Sequence, residues 1–344
     1  MISQTKIDMI NLMNNALYAV AKQIVTPHKG ILASDERPSA ADKNLEKAGI
    51  PSNEEIRRKY RELFINTPGI EQYLSGIIMH EETFYQSDST GKLFRNILKE
   101  KNIISIIKLD EGLEELPNFP GEKISIGLDN LKKRAEKFYE DGAKAAKWRS
   151  VIKIGNDLPS PEVVHANSII LSTYALFCQQ AGLVPIVEPE VLIDGDHTIQ
   201  KSEEVTNKTL KDVFGTLKRY KVDLKAVVLK TSMVIPGNKC QVMASPEEIA
   251  DATVRVLQAT VPEEVPGIVF LSGGQSSEDA TINLNFIAKK EPLPWEITFS
   301  YLRALEAPAI QVWQGKDENI QKARNIFMTR LRECVLADSG IYQK

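Results

Sequence analysis

Histidine and cysteine are scarce in this sequence of 344 residues, which contains four histidines and three cysteines. No histidines are paired at zinc-ligand spacing, and His80 lacks the second histidine of a helix-borne zinc motif. Scattered cysteines in an odd number are typical of reduced thiols and not of a disulfide framework. We therefore expect a cytoplasmic protein without a metal or other cofactor, whose chemistry depends on its own side chains.

Long apolar runs, an excess of one charge and nucleotide-binding loops are also missing. No apolar stretch approaches the roughly 20 residues that span a bilayer, and the N-terminus has the pattern of an amphipathic helix instead of a secretory signal. The formal net charge of -3 provides no general attraction for nucleic acid or anionic lipid. Neither a Walker loop nor a GxGxxG motif occurs. These absences predict a protein that binds neither nucleic acid nor membrane.

The sequence does contain a regular alternation of β-rich and helical segments. Eight candidate strands begin near residues 30, 75, 103, 143, 183, 225, 267 and 296. Between them lie helices with recognisable ends, such as the capping box of Ser245 and Glu248 and the segment from Ser160 to Gly182. This alternation predicts an α/β fold of the (β/α)8 TIM-barrel type. An open doubly wound sheet is the alternative, but the fingerprint that usually follows its first strand is absent.

No linker or break in composition interrupts the series. We therefore expect residues 1–344 to form a single (β/α)8 barrel domain with an N-terminal helical extension.

Charged residues stand near the carboxyl ends of six predicted strands, often as pairs two residues apart. They are Asp35, Lys108, Asp110, Lys147, Arg149, Glu188, Glu190, Lys230 and Arg303. Residues two apart on a strand share a face, so Tyr301 is expected to share that of Arg303. In a barrel these side chains converge at the mouth, where active sites lie. One such residue would usually be a surface charge, but six strands with the same pattern favour a shared site.

Lys230 lies in "AVVLKTSMV", which has the composition of a buried strand. Desolvation and neighbouring cations both favour the neutral form of an amine, and a neutral lysine is a nucleophile toward carbonyl groups. A nearby carboxylate such as Glu188 could shuttle the protons that imine formation requires. The remaining cations and the turn from Ser272 to Gly274 would suit phosphate groups. The residues alone thus indicate Schiff-base chemistry on a phosphorylated carbonyl compound.

Six segments resemble class I fructose-1,6-bisphosphate aldolases. They are "KGILASDE", "GAKAAKWRSVIKIG", "GLVPIVEPEVLIDGDH", "VVLKTSMV", "GIVFLSGGQS" and "ITFSYLRAL", in the order and spacing of that family. The resemblance runs from about residue 20 to about residue 340. It implies a metal-free lyase of glycolysis and gluconeogenesis, usually a homotetramer. Such an enzyme cleaves fructose 1,6-bisphosphate reversibly to dihydroxyacetone phosphate and glyceraldehyde 3-phosphate.

The resemblance also implies roles for individual residues. Lys230 matches the lysine that forms the Schiff base. Glu188 matches the acid/base of carbinolamine formation and dehydration, and Lys147 matches the residue that assists it. Asp35 matches the base that removes the proton from the C4 hydroxyl. The matched substrate-binding residues are Lys43, Lys108, Arg149, Glu190, Ser272, Gly273, Gly274, Ser300 and Arg303. Within this set, the residues that match the site of the C1 phosphate are Ser272, Gly273, Ser300 and Arg303. Lys108 and Arg149 match residues near the second phosphate, and Glu190 matches a carboxylate that orders the charges.

Several positions depart from the family. Asn44 and Ala40 stand where an arginine and a serine or threonine are expected, and Leu302 replaces a glycine. These changes leave open a related Schiff-base lyase or transferase acting on another phosphorylated ketose. A non-catalytic scaffold that keeps an aldolase shell is the other alternative, and the intact catalytic set argues against it. We also expect Tyr342 not to replace the terminal tyrosine that helps protonate the enamine in this family.

Overall fold

The fold is known from a computed structural model that describes residues 4–343. The strands within that range are, in chain order, β1 (Gly30–Ser34), β2 (Leu74–Met79), β3 (Ile104–Lys108), β4 (Gly112–Glu115), β5 (Lys123–Ile126), β6 (Ala145–Ile152), β7 (Val184–Val191), β8 (Val228–Thr231), β9 (Gly267–Phe270) and β10 (Glu296–Tyr301). The helices in the same range are α1 (Gln4–Ile24), α2 (Pro38–Lys47), α3 (Glu54–Ile65), α4 (Glu81–Tyr85), α5 (Phe94–Glu100), α6 (Leu131–Glu140), α7 (Pro161–Ala181), α8 (Ile199–Arg219), α9 (Pro246–Thr260), α10 (Ser277–Ala288), α11 (Arg303–Trp313) and α12 (Ile320–Asp338).

Eight of these strands close into a parallel barrel in the order β1-β10-β9-β8-β7-β6-β3-β2. The final pairing of β2 with β1 is parallel as well, which closes the ring. All eight strands coincide with the segments predicted from the sequence, so the (β/α)8 architecture is confirmed. The predicted helix ends are confirmed too, because Ser245 and Glu248 form a capping box and Gly182 ends α7 in the left-handed conformation.

The sequence did not predict the antiparallel hairpin of β4 and β5, which stands outside the barrel between β3 and α6. Its strands have four residues each and are partly exposed, so they lack the apolar run that marks the barrel strands. The Trp148 indole on β6 donates a hydrogen bond of 2.8 Å to Ser125 on β5. This contact holds the hairpin beside the mouth of the barrel.

The helix α1 closes the amino-terminal end of the barrel. Its side chains Leu17, Ala21 and Ile24 are buried against inward-facing strand residues, which include Ile31 and Val228. Burying a leucine or isoleucine side chain, as at Leu17 and Ile24, contributes about 1.5–3 kcal/mol. The described residues of α1 therefore fill the barrel interior at this end. Within the described residues, no helix combines the length and the apolar character needed to span a membrane.

Candidate active site

A cavity of about 290 Å³ lies at the carboxyl ends of the barrel strands. The residues that line it are Ala33, Asp35, Glu36, Arg37, Ala40, Lys108, Asp110, Gly112, Leu113, Lys147, Arg149, Glu188, Glu190, Lys230, Leu271, Ser272, Gly273, Ser300, Leu302 and Arg303. Eleven of the thirteen residues expected to act in catalysis or substrate binding are among them. The barrel thus brings together side chains from strands that are far apart in the sequence.

Lys230 lies on β8 with its side chain 3% exposed, in the third position of a strand that is buried throughout. Its Nζ lies 3.3 Å from Oε1 of Glu188 on the adjacent strand β7. This pairing explains how a lysine can occupy an otherwise apolar strand, since a buried ammonium needs a charge partner. Lys230 also lines the cavity, from which a carbonyl carbon could approach the amine.

Lys147 joins two of the carboxylates. Its Nζ lies 2.8 Å from Oδ2 of Asp35, to which it donates a hydrogen bond, and 2.9 Å from Oε2 of Glu188. The second contact lacks hydrogen-bond geometry, and Oε2 of Glu188 has no hydrogen-bond donor within the described residues. This oxygen is buried, so a substrate group that donates a proton to it would satisfy an acceptor that the protein leaves open.

The charges fix the ionisation of this cluster. Burial alone would raise the pKa of Asp35, but the positive charges of Lys147, Lys230 and Lys108 outweigh burial and hold that pKa below its ordinary value. Burial would likewise lower the pKa of Lys147, but Asp35 and Glu188 outweigh it, and the pKa rises. At neutral pH, Asp35 is therefore a carboxylate and Lys147 an ammonium ion.

Two further ion pairs occupy the side of the mouth formed by β3, β6 and β7. Arg149 donates to Oε2 of Glu190 at 2.5 Å, and Lys108 Nζ lies 2.8 Å from Oδ1 of Asp110. Asp110 also accepts a hydrogen bond of 3.3 Å from the Arg149 backbone. Burial opposes the charge of Arg149, but Glu190 raises the pKa of the guanidinium. The two cations are thereby held at fixed positions next to the cavity.

The opposite side, formed by β9 and β10, provides hydrogen-bonding groups without carboxylates. Ser272 and Ser300 are buried, and the Ser300 hydroxyl has no hydrogen-bond partner within residues 4–343. Gly273 has a φ of 51°, and a Cβ there would lie 2.9 Å from Leu271 Cδ1. Arg303 begins α11 at the edge of this side. An unpartnered hydroxyl, a backbone turn and a guanidinium suit a phosphate group.

Two of the expected substrate-binding residues do not line the cavity. Lys43 is exposed on α2 and is not part of the cavity lining. Gly274 is the last residue of the turn that begins at Ser272, and a Cβ there would lie 2.8 Å from Ile193 Cδ1, so this glycine permits close packing of the loop.

The expectation that Tyr301 and Arg303 share a face is wrong. Tyr301 is the last residue of β10, and its hydroxyl donates outward to the Ala280 carbonyl oxygen. The chain turns into α11 directly after it, at Leu302, and this turn directs Arg303 to the cavity. Strand alternation does not extend past the end of the strand.

A buried polar network lies behind Asp35. Glu306 of α11 accepts a hydrogen bond of 2.9 Å from Ser34 and is also bonded to the Tyr60 hydroxyl, which lies 3.3 Å from Oε2 of Glu36. Arg61 donates to Ser34 at 2.7 Å and to Glu36 at 3.0 Å. Burial raises the pKa of Glu306; Arg61 opposes the rise and Glu36 adds to it. The network joins the end of β1 to the helix that carries Arg303.

Two cavity residues, Arg37 and Gly112, were not predicted from the sequence to belong to the site. Arg37 follows Asp35 by two positions, which is the spacing that identified the other pairs, but it lies beyond the end of β1. Gly112 begins the hairpin that was not predicted. Both residues line the cavity. Within the described residues, no group of three or more histidine, cysteine, aspartate or glutamate side chains is arranged to hold a metal ion.

The fold and this cluster of lysines and carboxylates define a (β/α)8-barrel enzyme, and comparison with known proteins gives the family. The family model described as "Fructose-bisphosphate aldolase class-I" matches residues 16–344. "Fructose-bisphosphate aldolase 4, cytosolic" of Arabidopsis thaliana is 47% identical over 328 residues, which cover 95% of this chain and 84% of that protein. The fructose-bisphosphate aldolase of Dictyostelium discoideum is 45% identical over 329 residues, which cover 95% and 92%.

A solved structure agrees with these relatives. The fructose-bisphosphate aldolase of Plasmodium falciparum, in a complex with TRAP and a small-molecule inhibitor, has a TM-score of 0.95 and 41% identity over 96% of each chain. The chain therefore belongs to the class I fructose-bisphosphate aldolases, the metal-independent lyases that cleave fructose 1,6-bisphosphate reversibly in glycolysis. The resemblance seen in the six sequence segments is confirmed.

Proposed function

We propose that Lys230 is the residue that forms a Schiff base with the ketose. The neutral amine attacks the C2 carbonyl, and the resulting carbinolamine loses water to give an iminium ion. The observation that carries this proposal is the position of Lys230, buried at the cavity floor with its Nζ 3.3 Å from Glu188. The iminium carbon draws electrons, so it serves as the electron sink for the next step.

Glu188 and Lys147 act on the proton transfers of imine formation. Glu188 takes a proton from the attacking amine and returns one to the leaving hydroxyl, so that water departs. The free acceptor position of its Oε2 supports this role, because the carbinolamine hydroxyl can bond there. Lys147, 2.9 Å away, stabilises the carboxylate form that Glu188 has before the first transfer and regains after the second.

Asp35 is the base that starts carbon–carbon cleavage. It removes the proton of the C4 hydroxyl, and the C3–C4 bond breaks. The electron pair of that bond becomes the C2–C3 double bond of an enamine, while the pair of the C=N double bond moves to the nitrogen of Lys230. The C4 oxygen becomes the aldehyde oxygen of glyceraldehyde 3-phosphate. The enamine is then protonated at C3, and hydrolysis releases dihydroxyacetone phosphate and the free amine. The hydrogen bond of 2.8 Å from Lys147 holds the Asp35 carboxylate in its charged form.

The phosphate groups bind at opposite sides of the mouth. Ser272, Gly273, Ser300 and Arg303 bind the C1 phosphate, and Gly274 shapes their loop. Lys108 and Arg149 act near the second phosphate, with Glu190 orienting Arg149 through the bond of 2.5 Å. Lys43, exposed on α2, would act only at the outer edge of this region.

The experiment is borohydride reduction with dihydroxyacetone phosphate, followed by peptide mapping. Reduction should trap the ketose phosphate on the peptide that contains Lys230, and Lys230→Met should abolish trapping. Lys225→Met is the matched control, because Lys225 is exposed and lies shortly before β8. An adduct on Lys147 or Lys108 would refute the assignment.

We also propose that the protein acts in the cytoplasm, as a single barrel domain with an N-terminal helical extension, in a homotetramer. Cytosolic relatives and three unpaired cysteines support the location. The packing of α1 into the barrel end supports its assignment to the same domain. Light scattering during size-exclusion chromatography tests the assembly, and a monomeric mass at micromolar concentration would contradict it.

A further inference from the structure

Six cationic side chains line the cavity, and they differ in whether the protein neutralises them. Lys108, Lys147, Arg149 and Lys230 each have a carboxylate partner within the cavity. Arg37 and Arg303 have no ion-pair or hydrogen-bond partner for the guanidinium in the part of the chain that the structure describes. A guanidinium without a partner is free to bind an anionic group of the substrate.

These two arginines serve different parts of the mouth. Arg303 belongs to the β9–β10 side, with Ser272 and Ser300. Arg37 leaves the end of β1 and reaches past β2 to the turn after β3, where its guanidinium lies against Gly112. In the proposed function Arg303 binds the C1 phosphate, and Arg37 has no assigned ligand.

Gly112 is the residue that allows this placement. A Cβ at this position would lie 2.3 Å from Nη2 of Arg37, so the guanidinium would have to move away from the turn. The φ of 119° at Gly112 also disfavours any other residue. The long side chain of Arg37 is therefore supported over the turn although it is exposed to solvent on the rim.

Neighbouring residues on α2 do not offer an alternative phosphate ligand. Asn44 donates its side-chain amide to Glu36 and is not part of the cavity lining. Ala40 lines the cavity but has no polar side-chain atom. Arg37 is the residue of the β1–α2 turn that brings a positive charge to the cavity.

We propose that Arg37 binds the phosphate on the end of the substrate remote from the reacting carbonyl and thereby sets the preference for a bisphosphorylated ketose. The inference rests on the proposed function, which places the C1 phosphate beside Arg303. Loss of one charge-assisted hydrogen bond weakens binding roughly ten- to a hundredfold. The loss should appear with substrates that carry the remote phosphate and be absent with those that lack it.

The test measures kcat/KM of Arg37→Ala and Arg37→Lys with fructose 1,6-bisphosphate and with fructose 1-phosphate. We expect Arg37→Ala to lose about ten- to a hundredfold with the bisphosphate and less than about twofold with the monophosphate. Arg37→Lys should recover part of the loss, since it keeps the charge without the planar fork. Arg219→Ala is the control, because Arg219 is exposed at the end of α8 remote from the mouth.

Trapping of dihydroxyacetone phosphate separates failure of this inference from failure of the proposed function, because that ketose has no remote phosphate. Unchanged trapping in Arg37→Ala, together with equal losses on both substrates or no loss on either, would overturn the role of Arg37. Absence of trapping at Lys230 in the unmodified protein would instead overturn the proposed function.

Discussion

Replacement of Lys147 by methionine tests whether the charge cluster is balanced in the way the distances indicate. The change removes an ammonium ion that lies 2.8 Å from Asp35 and 2.9 Å from Glu188, while the apolar part of the side chain is kept. Glu188 retains Lys230 at 3.3 Å, so the loss falls mainly on Asp35. Removal of one member of a buried ion pair costs about 3–5 kcal/mol. We expect the free energy of unfolding to fall by this amount at pH 7.5.

The deficit in the free energy of unfolding that Lys147→Met causes should depend on pH in a defined direction. In the unmodified protein the pKa of Asp35 is below its ordinary value, so its contribution to stability is present above that value and is lost as the pH falls through the lowered pKa. Without Lys147, only Lys230 and Lys108 remain to oppose the effect of burial, so we expect the pKa of Asp35 to rise and the carboxyl group to take a proton in mildly acidic solution. The deficit of Lys147→Met should therefore shrink between pH 7.5 and pH 5.

Urea unfolding followed by circular dichroism at several pH values measures this effect. The double variant Asp35→Asn, Lys147→Met is the control, because it removes the unpaired charge and should be more stable at pH 7.5 than Lys147→Met alone. A deficit below about 1 kcal/mol that is constant with pH would refute the reasoning, since it would place Asp35 in a solvated environment.

Three further predictions concern groups outside the cluster. Glu306→Gln should keep the cleavage rate at neutral pH and flatten the decline of that rate in alkaline solution. The reason is that the raised pKa of Glu306 contributes stability that is lost as the pH rises through this pKa. An unchanged decline of the rate in alkaline solution would contradict this. Burial raises the pKa of Asp338 to about 8, so Asp338→Asn should raise the melting temperature above pH 8 and change it little near pH 4; an equal shift at both pH values would contradict it. Removal of residues from Ile341 onward should spare both cleavage and tritium exchange at C3 of dihydroxyacetone phosphate. The Tyr342 backbone amide donates to Oδ1 of Asn285, near the end of α10 that leads into the amino end of β10, and this anchors Tyr342 away from the mouth. A selective loss of exchange would show that Tyr342 acts in protonation.

The barrel could be predicted from the sequence because its strands are buried on both faces, and each therefore has a continuous apolar run. The cluster at the mouth could be predicted for a related reason. Lys147 and Arg149 flank Trp148, which packs outward beneath α7, so the alternation itself indicates that the two cations point inward. A charged side chain that points inward from a buried apolar strand indicates a shared polar site.

The residues that were missed lie where this periodicity stops. The hairpin is half-exposed and gives no clear apolar pattern, so the sequence did not indicate that Gly112 begins a strand beside the cavity. Arg303 and Tyr301 were assigned to one face because side chains two residues apart on a strand share a face. This alternation gives no sign that the strand ends and the chain turns at Leu302. Arg37 belongs to a turn, and its contact with Gly112 joins segments far apart in the sequence.

Because α1 closes the amino-terminal end of the barrel, the active-site cavity opens at one end. Leu17, Ala21 and Ile24 fill the far side, so both products must leave through the opening by which the substrate enters. In the proposed mechanism the ketose fragment is covalently attached at the floor, whereas the aldehyde fragment lies nearer to the rim. The aldehyde therefore blocks the exit until it departs, and the order of product release follows from the shape of the cavity. In the synthetic direction, the same geometry requires the ketose to enter first.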